Sequence, residues 1–351
     1  MRSTSAGEKR YGIVLQAGFG TVCGDSTAYT TTANGQWLQC DHFALKSDLK
    51  LREDTVANGG RYQQNGDISV DANEAMPEFT ITMPQIRNGH TDLFLAGWFQ
   101  NVTEGTPSTA ATPCSKQTYS IPIPGATQQP DFTADEGYFY TVTERLPTAS
   151  ESRSQKDCIV KALTFSHEPG GMLAVAAEMV GRGAVVKDAN PSGAWTRDLT
   201  KGKQYATIVR HTINFGGGTT AVSLNGPWEI QLTQDVEKQG ADSGDFENYG
   251  LINRGGRFTV NINADQYVVS AAAAAEAGTL VQFNFGFGTT TAADAGNVAG
   301  DLDFYWTGIL DADPEHNNEG IMSGILTGKL VGTPSTSPIT VKFGSANDRG
   351  W

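Results

Sequence analysis

The chain has 351 residues, a net charge of −13 and a pI of about 4.8, a balance that excludes wrapping DNA through phosphate contacts, which require clustered Lys and Arg. Hydrophobic residues make up 38% and charged residues 18%, a globular composition with room for about two domains of roughly 150 residues each. Met1 to Arg10 lacks the apolar core of a signal peptide, and no stretch approaches the ~20 apolar residues of a membrane span, so synthesis in the cytoplasm and no membrane partner are expected.

In chain order, residues 1 to about 20 read as an extended arm in which Tyr11 to Leu15 could add a strand to a neighbouring sheet. Leu45, Leu49 and Leu51 suggest a first main strand. Arg52 to Pro77 is polar and far longer than a hairpin loop of about 2–5 residues. With Val56, Ile68 and Val70 as its apolar anchors, it reads as a long projecting hairpin. Phe79 to Met83 alternates apolar and polar residues, the period of a half-buried strand, and leads into a helical stretch through Leu93, Phe94, Leu95, Trp98 and Phe99. Pro122, Pro124 and Pro130 mark an irregular connection. A strand at Tyr138, Tyr140 and Val142 is ended by Pro147 and the polar run Ser150 to Asp157. A hairpin follows: Leu163 to His167, a turn at Gly170-Gly171, then Met172 to Val180.

Lys187 to Lys203, with Pro191, Gly193 and Gly202, is the expected boundary between halves. Beyond it come strands at Ile208 to Phe215, Thr219 to Leu224 and Trp228 to Leu232, then a second long polar stretch, Asp235 to Gly256. Phe258 to Asn263 alternates again and passes into Tyr267 to Ala277, an alanine-rich run that favours helix. Strands at Leu280 to Phe287 and Phe304 to Ile309 precede a closing hairpin of Ile321 to Val331 and Ile339 to Phe343. The two halves thus repeat one order of strand, helix, strands and closing hairpin. The expected fold is mainly β: two similar β-sandwich or barrel-like domains, 1–190 and 191–351, each with one packed α-helix, plus long projecting loops and extended termini.

No catalytic, cofactor or metal site is expected. Cys23, Cys40, Cys114 and Cys158 form no CxxC pair; free thiols are expected, with a Cys23–Cys40 disulfide as the alternative. The five histidines are scattered singly, and His167, beside a turn, is expected to be solvated. Asp311 to Gly320 resembles a calcium loop, but His316 and Met322 stand where an EF-hand needs Gly and Glu. Gly216 to Gly218 and Gly286 read as turns or bulges. No pair of carboxylates is singled out for sugar cleavage.

Two segments carry a family resemblance: Lys161-Ala-Leu-Thr-Phe-Ser-His-Glu-Pro-Gly-Gly-Met-Leu-Ala-Val-Ala-Ala-Glu-Met-Val-Gly-Arg182 and Pro338-Ile-Thr-Val-Lys-Phe-Gly-Ser-Ala-Asn-Asp-Arg-Gly-Trp351. Both resemble the tail tube (major tail) protein of long-tailed, siphovirus-type bacteriophages. The resemblance implies a structural virion protein, made in the host bacterial cytoplasm, that is not an enzyme and takes no cofactor. Family members form hexameric rings from single-domain subunits; a duplicated chain implies homotrimeric rings stacked into a tube. Its partners would be itself, the terminator, tape measure and distal tail proteins, and duplex DNA passing through the lumen without tight binding. Candidate contacts between rings are Val56, Gly59, Arg61, Tyr62, Ile68, Val70, Phe246, Tyr249 and Leu251. Candidate arm contacts are Tyr11, Ile13, Leu15 and Trp351. The alternatives are a capsid or decoration protein, a β-sandwich adhesin or carbohydrate-binding module, and a β-rich glycosidase.

Overall fold

The computed structural model describes residues 9–16, 35–41, 43–47, 50–53, 68–71, 75–85, 91–104, 115–121, 137–145, 152–188, 208–215, 219–221, 224–240, 246–263, 269–287, 302–311, 315–317 and 323–345. The fold is mainly β. The first half runs β1 (Arg10–Leu15), β2 (Gly35–Leu38), β3 (Lys50–Glu53), β4 (Ile68–Asp71), β5 (Glu78–Met83), α1 (Thr91–Phe99), β6 (Val102–Glu104), β7 (Ser115–Ser120), β8 (Tyr140–Arg145), β9 (Ser152–His167) and β10 (Ala174–Asp188). The second runs β11 (Ile208–Asn214), β12 (Thr219–Ala221), β13 (Leu224–Gly240), β14 (Phe246–Asn263), α2 (Val269–Ala277), β15 (Val281–Phe287), β16 (Leu302–Leu310), β17 (Glu315–Asn317), β18 (Ser323–Leu330) and β19 (Ile339–Ser345).

The strands stack as two antiparallel layers. One has the order β5-β10-β9-β13-β14-β18; the other is β12-β11-β15-β16-β19-β7-β6. Aromatic side chains meet between them: Phe165 lies 5.0 Å from Phe304, and Phe258 4.8 Å from Phe283, centroid to centroid. β16 leaves β19 after Trp306 and pairs with β18 through Gly308 to Leu310, closing one corner. Phe258 fills that corner, and a Cβ on Gly308 or Gly328 would fall 2.4 or 2.6 Å from its ring.

The two halves of the sequence are hydrogen-bonded to each other in both layers, β9 to β13 and β7 to β19, and one apolar core includes residues from both. The boundary expected at 190/191 lies outside the described residues. Strand–helix–strand order recurs as β5–α1–β6 and β14–α2–β15, as the alternation predicts.

Several local expectations are corrected. The expected closing hairpin is an arch: β18 pairs with β14, β16 and β17, and β19 with β16 and β7, so the two strands lie in opposite layers. Of the run expected as a polar break, Ser152 to Asp157 is strand. Ser152, Ser154, Gln155 and Asp157 are buried because polar groups find partners, such as Thr143 with the Ser154 hydroxyl at 3.0 Å, and Gln155 Nε2 to the Arg182 carbonyl at 2.8 Å. Of the polar stretch from Asp235 to Gly256, residues 235–240 and 246–256 are strand, paired with each other in β13 and β14. β3 and β4 form a separate two-stranded ladder, Leu51 opposite Val70. Gly286 is not a turn or bulge but a regular position of β15, opposite Asp303; the register shift beside it lies in β11, between Ile208 and Arg210.

Both helices end in satisfied backbone. In α2 the Thr279 N–H reaches the Ala274 carbonyl and the Gly278 N–H the Ala275 carbonyl, with Gly278 at φ 60°, a Schellman close. Leu93 to Phe99 of α1 are all buried, the mark of a helix enclosed on every side.

Candidate functional site

The outer face of the first layer spans six strands, β5, β10, β9, β13, β14 and β18. Along β13, Trp228, Ile230, Leu232 and Gln234 turn inward, while Glu229, Gln231, Thr233, Asp235 and Glu237 are exposed. Neighbouring strands carry the same face sideways. Thr80, Glu178, Ala162 and Thr233 stand in one cross-strand row, and Thr82, Ala176, Thr164, Gln231, Arg257 and Lys329 in the next. The face is rich in small polar groups. Its carboxylates are Glu78, Glu178, Glu229, Asp235 and Glu237, against the cations Lys161, Arg257 and Lys329. Lys161 donates to Glu78 at 2.8 Å, and that bond raises its pKa; Arg257 is engaged by Asp311.

Most expected contact residues stand elsewhere. Val56, Gly59, Arg61, Tyr62 and Trp351 lie outside the described residues. Ile68 and Val70 belong to β4, opposite Glu53 and Leu51, and Phe246 opens the returning strand of the long hairpin opposite Gly240. Tyr249 is 1% exposed and packs with Phe139, Ile159 and Val180 in a second small core, with Leu251 against it. Its hydroxyl donates to the Asp157 carbonyl at 2.9 Å. In the folded chain Tyr249 is therefore sealed from any neighbouring molecule. The arm is corrected in the same way. β1 pairs with β2 on one edge and β8 on the other, so no edge is left for a neighbour's sheet; Tyr11 and Ile13 are buried and Leu15 packs on the core.

Two buried polar centres leave no mark in the residue pattern. At the first, Gln16 Nε2 donates to Asp157 Oδ1 at 2.7 Å while the Asp157 N–H donates to Gln16 Oε1 at 2.7 Å, and Arg182 lies 3.5 Å from the other carboxylate oxygen. At the second, Arg254 closes the C-terminus of α1. It donates to the carbonyls of Trp98 and Phe99, and its Nε donates to Gln234 Oε1 at 2.9 Å. Isolated residues brought together from 20 to 156 positions apart leave no periodic trace.

Two clefts open among the described residues. One, of about 560 Å³, is lined by Glu168, Glu229, His167, Trp228 and Asn261 among others. Its two carboxylates are exposed, whereas a carboxyl kept protonated for sugar cleavage sits in an apolar pocket. His167 is not solvated but buried, its ring 5.2 Å from Phe287 and 6.1 Å from Trp228. The second cleft, of about 330 Å³, lies on the outer face of the other layer. Among the described residues, no group of His, Cys, Asp and Glu is placed to hold a metal ion, and no helix is long and apolar enough to cross a membrane. Asp311 of the calcium-like segment is taken by Arg257. Cys40 and Cys158 are free thiols.

No protein-family model matches the chain, and no curated protein matches it.

Proposed function

We propose that this chain is a structural subunit that assembles into stacked rings, forming the tail tube through which phage DNA passes. Three chains would supply the six similar halves of each ring, and the tube would meet terminator, tape measure and distal tail proteins at its ends. The protein would be made in the bacterial cytoplasm and work in the virion. The observation that carries this reading is the outer face of the first layer: a continuous, small-residue, polar surface six strands wide, on which Glu78, Glu178, Glu229, Asp235 and Glu237 outnumber the cations. Such a face suits a wall past which a polyanion slides, because phosphate held by clustered Lys and Arg would stall.

Electron microscopy of the purified protein tests the reading. Tubes or stacked rings with threefold symmetry are the expected images; closed shells or monodisperse monomers would overturn it. Deleting Gly59 to Gly66 is expected to block stacking while each subunit remains folded.

A further inference from the structure

We infer that the outer face of the second layer carries a binding site for a neutral saccharide, formed on β11, β15, β16 and β19. This inference does not depend on tube assembly.

The cleft of about 330 Å³ reaches the lower end of the range in which small ligands are held. Its walls are two adjacent cross-strand rows. One contains Asn284, Tyr305 and Thr340; the other contains Asn214, Gln282 and Thr307. Strands about 4.8 Å apart make this four-strand strip about 14 Å wide, long enough for a short chain of sugar rings rather than a single small ion.

The chemistry of the lining selects the class. These six side chains are amides, hydroxyls and one phenol, and none is charged at neutral pH. An amide can donate and accept at once, which matches two neighbouring sugar hydroxyls, and an aromatic ring offers an apolar surface to the C–H face of a pyranose. The Asn284 amide oxygen is shielded from solvent and accepts no hydrogen bond among the described residues. A buried acceptor in that condition costs stability, and turning the amide towards the cleft would let a ligand hydroxyl satisfy it. Tyr305 is fixed by Lys342, whose ammonium lies 4.8 Å from the ring centroid.

Competing classes fit less well. A peptide adding as a strand needs an open edge, but β15 is paired on both sides by β11 and β16, and β16 by β15 and β19. A nucleic acid needs several cations, whereas no Lys or Arg is among the residues lining the cleft.

The experiment is saturation-transfer NMR and calorimetry on the purified full-length protein with maltohexaose, cellohexaose and chitohexaose, and with hexagalacturonate as the acidic probe. Saturable binding of at least one neutral hexasaccharide is expected. Asn284→Ala and Gln282→Ala are expected to weaken it about tenfold or more each, the size of one hydrogen bond to a desolvated group. Tyr305→Phe keeps the ring and its contact with Lys342, so it provides a variant whose folding is preserved if either alanine change unfolds the chain. Glu229→Gln, on the opposite layer, should leave binding unchanged. Failure of all three neutral probes to saturate, binding of the acidic probe alone, or binding untouched by all three cleft substitutions would overturn the site.

Discussion

The Arg254 guanidinium donates to the main-chain carbonyl of Phe99 across 2.9 Å, so a strand from the second half of the chain closes a helix in the first. The closure is complete. The last four carbonyls of an α-helix lack intrahelical partners. Here Ala96 receives the Gln100 N–H at 2.9 Å, Gly97 receives Gln100 Nε2 at 2.7 Å, and Trp98 and Phe99 receive Arg254. Gln100 takes φ 52° to do so. α1 has no basic residue in its own last turn, and Arg254 supplies the cation that the negative end of the helix dipole favours. The same guanidinium lies 5.1 Å from the Trp98 ring centroid.

Burial lowers the Arg254 pKa to about 10, so it stays charged at neutral pH. Arg254→Met is expected to cost about 3 kcal/mol or more, since hydrogen bonds to a charged group are worth roughly 1.5–3 kcal/mol each and two buried carbonyls would be orphaned. Arg254→Lys keeps the charge but not the planar fork and should fall between. Urea unfolding measures both; a methionine variant as stable as the parent would refute the capping role.

Gly97 lies inside α1, where glycine ordinarily costs about 1 kcal/mol relative to alanine. Here the sign is expected to reverse. A Cβ at this position would fall 2.8 Å from both the Tyr140 ring and a Val160 methyl, and Tyr140 is held by its hydrogen bond to the Leu93 carbonyl at 2.7 Å. Overpacking a filled core costs about 1–3 kcal/mol. Gly97→Ala should therefore lower the midpoint of thermal unfolding, and a rise would show that the helix moves off β8 and β9 freely.

The sequence made the elements readable wherever one face is buried. Phe79 to Met83 and the row Trp228, Ile230, Leu232 alternate cleanly because every second side chain enters the core. Both helices were legible, one from its dense apolar run and one from its alanines. Pairing was not legible. β18 and β19 each look like one arm of a hairpin, yet their eight-residue connection crosses between layers, and no local pattern distinguishes an arch from a hairpin. The outer half of β13–β14 covers only a small core through Val236, Tyr249 and Leu251, so its polar majority read as loop. The cleft at Asn284 was hidden for a related reason. Its residues come from four strands, and only the register brings them together.

The thiol of Cys158 is fully buried and its pKa is pushed well up, first by loss of solvation and then by Asp157; Cys40 is raised to about 12 by burial and Asp41. Because the thiolate is the reactive form, neither should react with iodoacetamide at pH 8 while the chain is folded. Residue-resolved mass spectrometry should find both alkylated only after unfolding in guanidinium. Rapid labelling of Cys158 in the native protein would show that the β8–β9 region opens locally.

Glu178, Glu229 and Asp235 are exposed on strands whose opposite sides hold the core, so changing them alters charge with little effect on folding. If this face is the wall of the conduit, the assembled parent protein should not retain duplex DNA at about 0.15 M salt, where non-specific binding needs several neutralised phosphates. Replacing the three carboxylates with lysine should create retention. That retention should weaken as salt rises, with the slope of log K against log salt steepened by about 0.9 for each phosphate newly contacted. Assembly should persist, because no packed side chain is changed. Filter retention of duplex DNA over a salt series, with microscopy of the same samples, reads both quantities. Tight, salt-sensitive binding by the parent would make the protein a DNA-packaging or architectural one. Tubes whose DNA retention ignores all three reversals would place this face on the outside of the tube.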